Sequence, residues 1–528
     1  MKRIDCKLLI GVLIACLFVA ALCGFVLTPF TADLRVFMAS ANIANYKDVN
    51  LFYDAYNTWE IKGVFNRTLM YAIYNISTFF ADFGTIGFER VCKLVYAVVI
   101  VAVCACTVVL VSDNRQRSRM IALGTALSLY FFTDDYVCQM QAEMTSTLIL
   151  LLGWAVYVHS SRRKKNSRME IILAGCCIGA VFFFKSAFLL MSVAFVAAAA
   201  LYDINEGIRL SLKRFLLLVL GSIIMLVIGF ASILILNPDD LNDMLYASMF
   251  QETLLSGGGM KVSGICKALV DGCISSCTDM PVLLTGAVAL VLNVIACVRR
   301  KQHLALVMHA VMWLTPSLFI VISNKYFAYH YFSFVMPSVV ELYICAVSSP
   351  HITGHRARKL VAKSAMFAAL LIYIAYSSLL SPKLNAYITL TKKSYSMNEQ
   401  YRNIGFNAPV LYLDDGLGAY ILGADTYLKY FYPLPLQRIS DNSPYRNVKC
   451  RTDCRRQIES YNGEYIVVYD KWFFGNGKNN DIRRKILNEY DKIGEIVRYT
   501  PQRSVKPTKI DGEADFIYFD FYKRKSDD

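Results

Sequence analysis

Long apolar runs constrain the fold of this chain more than any other feature of its sequence. Between Leu8 and Leu380, several runs reach the roughly 20 residues that a helix needs to cross about 30 Å of hydrocarbon. Lipid offers no hydrogen bonds to an open backbone, so each run is expected to be a helix. We predict about eleven membrane spans, at about residues 8–28, 91–112, 119–133, 140–158, 169–184, 187–202, 215–236, 281–298, 304–323, 331–348 and 361–380.

The first run, from Leu8 to Phe30, follows three basic residues and could be mistaken for a signal peptide. Its apolar core is longer than the ~7–15 residues of a signal peptide, and no small-x-small cleavage site follows it. We therefore expect this segment to remain in the protein as a membrane anchor.

Basic residues gather in every second loop between the predicted spans, which is how membrane proteins mark their cytoplasmic side. The pattern predicts a multi-pass protein of the plasma or inner membrane, with a cytoplasmic N-terminus and, because the number of spans is odd, an extracytoplasmic tail. It also explains the net charge of +15 without a nucleic-acid partner. The clusters are Lys2, Arg3 and Lys7; Arg115, Arg117 and Arg119; Arg162, Arg163, Lys164, Lys165 and Arg168; Arg209, Lys213 and Arg214; Arg299, Arg300 and Lys301; and Arg356, Arg358, Lys359 and Lys363.

Residues 169–202 form either one buried helix or two short helices that break near Lys185. A single pass would place the basic cluster that begins at Arg209 outside and would invert every later loop. The charge pattern therefore favours two short helices, with Lys185 at their outer tip.

The predicted fold class is an α-helical polytopic membrane domain, residues 1–381, followed by a small soluble extracytoplasmic α/β domain, residues 382–528. Two extracytoplasmic loops, 31–90 and 237–280, are too long to be simple connectors. In the first loop, the amphipathic stretches Asn50–Trp59 and Leu69–Phe80 are expected to lie along the membrane surface. In the tail, β-branched and aromatic residues predict strands at Val410–Leu413, Tyr465–Tyr469 and Phe516–Tyr522, and Arg483–Ile493 is helix-like.

Three acids stand at the predicted outer membrane face. Asp33, just past the first span, could act as a general base on an acceptor hydroxyl, or it could cap the helix that follows. Asp135 and Glu143 flank the outer turn between the third and fourth spans. Acids at a membrane edge are costly unless paired or hydrated, so these two either belong to a site or are hydrated interfacial residues.

Three cations at the same face, Lys185, Lys325 and His330, could bind a lipid phosphate. Alternatively, Lys185 extends to the interface to fix topology, and the tyrosines around the other two form an interfacial aromatic belt. His309 and Glu341 fall within predicted spans and would fit an ion pathway. A transporter therefore stays an alternative interpretation of the sequence.

Motifs of soluble enzymes are absent from the sequence: it has no P-loop, no GxGxxG after a strand, no HExxH and no GxSxG setting. Most of the sixteen cysteines lie inside apolar runs as small hydrophobic residues. The sequence does not decide whether Cys450 and Cys454 form a disulfide. No cofactor is expected; a divalent metal is conceivable but nothing in the sequence supports it.

Taken together, these features resemble the GT-C superfamily of membrane glycosyltransferases, in particular its bacterial mannosyl- and aminoarabinose-transferase-like group. In that superfamily a catalytic acid follows the first span, the place that Asp33 occupies here. A second acid commonly follows the third span, and Glu143 or Asp135 matches it. The family also has counterparts to Phe184-Lys185-Ser186 and Tyr329-His330-Tyr331-Phe332.

This resemblance implies a transferase that takes a sugar from a polyprenyl-phosphate donor and passes it, with inversion, to a cell-surface glycan or lipid-linked acceptor. Asp33 would be the general base, and Arg35, Lys185, Lys325 and His330 would bind the donor phosphate. No acid adjoins Asp33, which weakens any metal-dependent mechanism. The alternatives are a transporter or flippase of lipid-linked saccharides and a non-enzymatic envelope assembly factor.

Overall fold

The structure is a computed structural model. It describes residues 6–46, 64–111, 117–134, 140, 142–162, 167–185, 207–236, 382–428, 449–475, 479–499 and 516–526, and parts of 192–200, 371–375 and 432–437. The described residues divide into two compact units, and both units draw on separate stretches of the chain.

The first unit is helical and takes its described residues from Met1–Thr28, Lys93–Ser232 and the few described positions of Glu252–Leu384. Helix α1 packs on α5, and α6 packs on α7. The helices are α1 (Cys6–Leu27), α4 (Ile86–Val111, from Lys93 onward), α5 (Arg117–Asp134), α6 (Ala142–Arg162), α7 (Arg168–Phe184) and α8 (Ile208–Leu236, up to Ser232).

Four described helices are long and apolar enough to cross a membrane: Leu8–Leu27, Ile86–Leu110, Met144–Ser161 and Ile208–Ile235. They agree with four of the predicted spans. Helices α5 and α7 also lie where spans were predicted. The predicted spans 281–298, 304–323 and 331–348, and nearly all of 361–380, fall outside the described residues, so the total of eleven stays a prediction.

Helix α7 begins and ends where its sequence specifies. The side chain of Ser167 accepts a hydrogen bond from the backbone N–H of Glu170 at 3.4 Å, an N-terminal cap of the Ser-x-x-Glu type. The helix ends at Phe184, and Lys185 adopts an extended backbone with φ −157° and ψ 113°. The predicted break near Lys185 is therefore confirmed.

Glycines let α7 and α8 cross with their backbones in contact. A Cβ atom at Gly175 would collide with the carbonyl oxygen of Leu218, and one at Gly221 would collide with that of Ile172. The hydroxyl of Ser222 donates to the Gly175 carbonyl oxygen at 3.0 Å across the same crossing. Because small residues let membrane helices approach closely, this crossing is fixed by shape and by one hydrogen bond.

The second unit takes its described residues from Pro29–Cys92, from residues 233–236 and from Asn385 onward. It combines a mixed four-stranded sheet with helices. The helices are α2 (Ala32–Tyr46), α3 (Val64–Thr78), the first residues of α4, α9 (Pro382–Arg402, from Asn385 onward), α10 (Leu417–Leu422), α11 (Lys449–Ser460), α12 (Asp470–Phe473) and α13 (Asn480–Glu489).

The sheet has the strand order β1-β2-β4-β3. Its strands are β1 (Leu411–Leu413), β2 (Tyr465–Val468), β3 (Tyr490–Tyr499) and β4 (Phe516–Arg524). Strands β1 and β2 are parallel, with Tyr412 opposite Val467, whereas β4 runs antiparallel to both β2 and β3. The three predicted strands are all present.

The predicted helix Arg483–Ile493 is correct only up to Glu489 and is wrong beyond it. Tyr490 has an extended backbone and begins β3, which pairs with β4 over its whole length apart from an irregularity between Lys492 and Gly494. Pairing with β4 gives these backbone groups the hydrogen bonds that they would have made if the helix had continued. That tertiary partner is invisible to a local pattern.

Candidate active site

A carboxylate that accepts hydrogen bonds from four residues, on three stretches of the chain, forms the centre of a polar cluster in the second unit. Glu89, in the first turn of α4, is only 2% exposed at its side chain. Its Oε2 accepts from the backbone N–H of Phe30 at 2.8 Å, and its Oε1 accepts from Arg35 Nε at 3.1 Å. The hydroxyls of Tyr395 and Tyr420 also donate to Oε1, at 2.5 and 3.3 Å.

Arg35 on α2 is the cationic partner of this carboxylate. Its side chain is 6% exposed, and its guanidinium lies over the rings of Tyr395 and Tyr420, at 5.6 and 5.9 Å from their centroids. Among the described residues, its Nη2 has no hydrogen-bond partner. A buried ion pair is stable only when its geometry and further hydrogen bonds offset desolvation, and Glu89 has those bonds.

The two tyrosines are held in their neutral form by the same surroundings. Burial, and then repulsion from the Glu89 carboxylate, raises the pKa of Tyr395 well above its usual value. Burial together with Tyr395 and Glu89 does the same to the pKa of Tyr420. Both hydroxyls therefore remain hydrogen-bond donors to Glu89 across the physiological pH range.

Asp33 lies in the first turn of α2, two residues before Arg35, and is partly buried. It does not cap the helix, because Thr31 does so: the Thr31 hydroxyl accepts from the backbone N–H of Leu34 at 3.3 Å. A carboxylate in the first helical turn is favoured by the helix dipole. The network around Glu89 thus fixes the turn of helix that carries Asp33.

The chain entering α2 is held from the tail as well. The hydroxyl of Tyr387, on α9, donates to the carbonyl oxygen of Phe30 at 2.8 Å. Phe30 therefore has its N–H bound by Glu89 and its C=O bound by Tyr387. The start of α2 is consequently positioned by residues from both ends of the sequence.

Other predicted site residues lie elsewhere or outside the described part of the chain. Lys185 belongs to the first unit, where it is buried at the C-terminal end of α7. Glu143 is in the first turn of α6, also in the first unit. Asp135, Lys325 and His330 fall outside the described residues, as do the predicted intramembrane residues His309 and Glu341. Their gathering at one face stays a prediction.

A second group of acids lies at the carboxyl end of β1. Asp414 is fully buried and accepts from the backbone N–H groups of Gly416, at 2.8 Å, and Gly418, at 2.6 Å, which fixes the start of α10. Asp415 pairs with Arg498 of β3 at 3.0 Å. Burial and repulsion from Asp415 raise the pKa of Asp414 to about 7, partly offset by the two N–H donors and Arg498.

Sequence reasoning missed Glu89, Tyr395 and Tyr420. Glu89 was available as an acid near the start of a predicted span, where burial demands a partner. The tyrosines gave no signal, because they lie 306 and 331 residues from Glu89 along the chain. Within the part of the chain that the structure describes, no group of three or more His, Cys, Asp or Glu side chains is arranged to hold a metal ion.

Comparison with known proteins identifies the fold. ArnT from Cupriavidus metallidurans, in a crystal structure bound to undecaprenyl phosphate, aligns with a TM-score of 0.57 over 99% of this chain and 98% of its own, at 11% identity. The apo oligosaccharyltransferase of Archaeoglobus fulgidus aligns with a TM-score of 0.50 over 87% of this chain and 70% of its own, also at 11% identity. No family model matches the sequence, and no curated protein matches it.

The chain therefore shares its fold with ArnT and the oligosaccharyltransferase, which agrees with the GT-C architecture that the sequence resemblance predicted. Together with the four apolar helices, this fold makes the chain a multi-pass membrane protein. At 11% identity the similarity concerns the fold and carries no residue role across.

Proposed function

We propose that this protein transfers a sugar from a polyprenyl-phosphate donor to a cell-surface glycan or lipid-linked acceptor at the extracytoplasmic face, with inversion. The observation that carries the proposal is the placement of Asp33 in a turn of helix that a buried polar network holds rigid, within a GT-C fold. The neighbour that aligns over nearly its whole length was crystallised with undecaprenyl phosphate, which supports a lipid-phosphate donor.

In the proposed mechanism, the Asp33 carboxylate takes the proton from an acceptor hydroxyl as its oxygen attacks the anomeric carbon. The new C–O bond forms while the bond from that carbon to the phosphate oxygen breaks. The phosphate oxygen keeps the electron pair, so the lipid phosphate leaves as an anion. A single displacement of this kind inverts the anomeric centre.

Cations would stabilise the charge that develops on the leaving phosphate. Lys185, Lys325 and His330 are proposed for that role, with Glu143 or Asp135 as a second acid. Arg35 was predicted to bind phosphate too, but its burial and its pairing with Glu89 favour a different part. We assign it to holding α2 through its ion pair with Glu89.

The test is the variant Asp33→Asn, which keeps size and removes the base. We expect it to lower the rate of lipid-phosphate release by at least about 100-fold, because general bases contribute about 10²–10⁴-fold. Release of free polyprenyl phosphate from a panel of polyprenyl-phosphate sugars measures the rate in purified protein. Asp82→Asn is the matched control, since Asp82 is an exposed acid of the same unit. Wild-type turnover by Asp33→Asn would remove Asp33 from the mechanism.

A further inference from the structure

A cleft of about 370 Å³ opens in the second unit, and none of its lining residues belongs to the polar cluster around Glu89. Its size falls within the roughly 300–1,000 Å³ of small-molecule sites. Three stretches of the chain line it: the end of α2, the end of α9 with the segment that follows, and the loop after α10. The lining residues are Tyr46, Arg402, Ile404, Phe406, Asn407, Ala408, Pro409, Leu422, Gly423, Ala424 and Asp425.

An aromatic wall is fixed in this cleft. The Tyr46 hydroxyl donates to the carbonyl oxygen of Gly423 at 2.8 Å, which anchors the ring while 59% of the residue stays exposed. Asn42, one turn earlier, donates to the same oxygen at 3.2 Å. Phe406, which packs edge-on against Tyr465, supplies a second ring. An anchored, exposed ring loses little conformational entropy when a ligand covers it.

Polar groups complete the cleft. Asn407 is exposed and Asp425 is partly buried, and both line the cleft with the two rings. One carboxylate oxygen of Asp425 accepts from the backbone N–H of Thr426 at 2.7 Å. Arg402 holds one side of the cleft in place, because its guanidinium donates to the carbonyl oxygens of Phe83 and Gly84, the latter at 2.8 Å. Gly84 has a φ of +71°, and a Cβ there would lie 2.6 Å from Arg402 Nη2, so this position favours glycine.

This combination selects one class of ligand. A purely apolar ligand would desolvate Asn407 and Asp425 without replacing their hydrogen bonds, which is costly. An anion would meet the Asp425 carboxylate. A saccharide has apolar C–H faces for the rings of Tyr46 and Phe406 and hydroxyls that pair with both carboxylate and amide. We propose that the cleft binds a neutral saccharide portion of the acceptor; this proposal rests on the transferase function above.

Helix α2 sets the distance between this cleft and the proposed base. Asp33 stands in its first turn and Tyr46 is its last residue, so at 1.5 Å per residue the two lie about 20 Å apart along the helix. One monosaccharide cannot reach both places. The acceptor that uses both is therefore an extended oligosaccharide, held by the cleft several sugar units from the hydroxyl that receives the new sugar.

Binding can be measured without any donor, on the full-length protein in detergent. The probes are neutral tetrasaccharides of glucose, galactose and mannose, with the corresponding monosaccharides, and the readout is saturation-transfer NMR with titration to a Kd. We expect at least one tetrasaccharide to bind more tightly than its monosaccharide. Tyr46→Ala should weaken that binding about tenfold, while Tyr46→Phe, which keeps the ring, should stay within about threefold.

Two further variants make the result specific. Asp425→Asn removes the charge and should weaken binding several-fold. Tyr518→Ala is the control for an exposed tyrosine outside the cleft, as Tyr518 is 48% exposed on β4. Absence of binding by every probe, or equal losses in Tyr46→Ala and Tyr518→Ala, overturns the saccharide site. Because no donor is present, that result is independent of the Asp33→Asn test, and loss of lipid-phosphate release leaves the binding result standing.

Discussion

Two junctions, one in each unit, show opposite ways of holding segments together. The crossing of α7 and α8 in the first unit relies on missing side chains, since Gly175 and Gly221 let backbone meet backbone. The cluster in the second unit relies on added polar groups, since Glu89 accepts hydrogen bonds from four residues. Shape fixes the first junction, whereas charge and hydrogen bonds fix the second.

The difference follows from the surroundings of each junction. Helices in lipid gain no hydrophobic energy by leaving apolar tails for one another, so close van der Waals contact must supply the attraction. A buried carboxylate is tolerated only when hydrogen bonds and an opposite charge compensate its desolvation. We therefore expect the first junction to fail when volume is added and the second to fail when a charge is left alone.

The largest effect is expected from Glu89→Gln, which keeps shape and removes the charge. Arg35 then stays buried without its anion, and breaking a buried pair in this way costs about 3–5 kcal/mol. The measurement is thermal unfolding of the purified full chain. The double variant Glu89→Gln/Arg35→Met removes both charges and should regain most of the loss.

The double variant also separates stability from positioning. If the cluster serves to fix the turn that carries Asp33, the stabilised double variant still transfers sugar slowly, because the α2 segment has lost its link to α4. Recovery of full transfer would assign the pair a purely structural role. Unchanged unfolding in Glu89→Gln alone would contradict the importance of the charge.

A smaller effect is expected from Gly175→Ala. The added methyl group meets the backbone carbonyl of Leu218, which cannot move without shifting α8, and overpacking of this kind costs about 1–3 kcal/mol. Gly11→Ala is the control, because its Cβ would be no nearer than 3.4 Å to the flexible Arg119 side chain. Unfolding temperatures of the two variants in the same detergent measure the difference. Equal values would show that the crossing is not tight.

An effect that depends on pH concerns Asp414, whose carboxylate is buried in the second unit. Its pKa is raised to about 7 in the fold, chiefly by burial, and is about 3.9 in an unfolded chain. Between those values the folded protein holds the proton more strongly, so stability falls as pH rises from about 4 to about 7 and then levels off. Asp414→Asn should reduce the fall in Tm between about pH 4 and about pH 7 by a few degrees. Asp491→Asn, which changes an exposed acid, should leave that fall unchanged.

Local features were predictable from the sequence, and long-range ones were not. Ser167 and Glu170 form the cap at which α7 begins, and the break at Lys185 was predicted from the basic residues of the loops between spans. Strands β1, β2 and β4 follow from runs of β-branched and aromatic residues. By contrast, β3 depends on pairing with β4.

Only part of the candidate site could be predicted from the sequence. Asp33 was predicted from its place after the first span, and the structure puts it in the first turn of α2. What holds that turn could not be predicted, because the partners of Glu89 include tyrosines from a distant part of the chain. A buried ion pair leaves no periodic pattern in the sequence. The only indication is that an isolated acid near a predicted span needs a partner to offset its desolvation cost.

The hydrogen bonds from Tyr387 and Tyr395 have a consequence for how the protein is made. Glu89 and Arg35 leave the ribosome early, and the tyrosines that complete their surroundings come about 300 residues later. At about 5–20 residues per second, the ion pair waits tens of seconds for its last donors. During synthesis the early segment is an unfinished half of a domain, and a chain that stops before α9 leaves it without closure. In a chain that stops before α9, Glu89 therefore lacks the hydroxyl donors of Tyr395 and Tyr420, and only Phe30 and Arg35 can bind it.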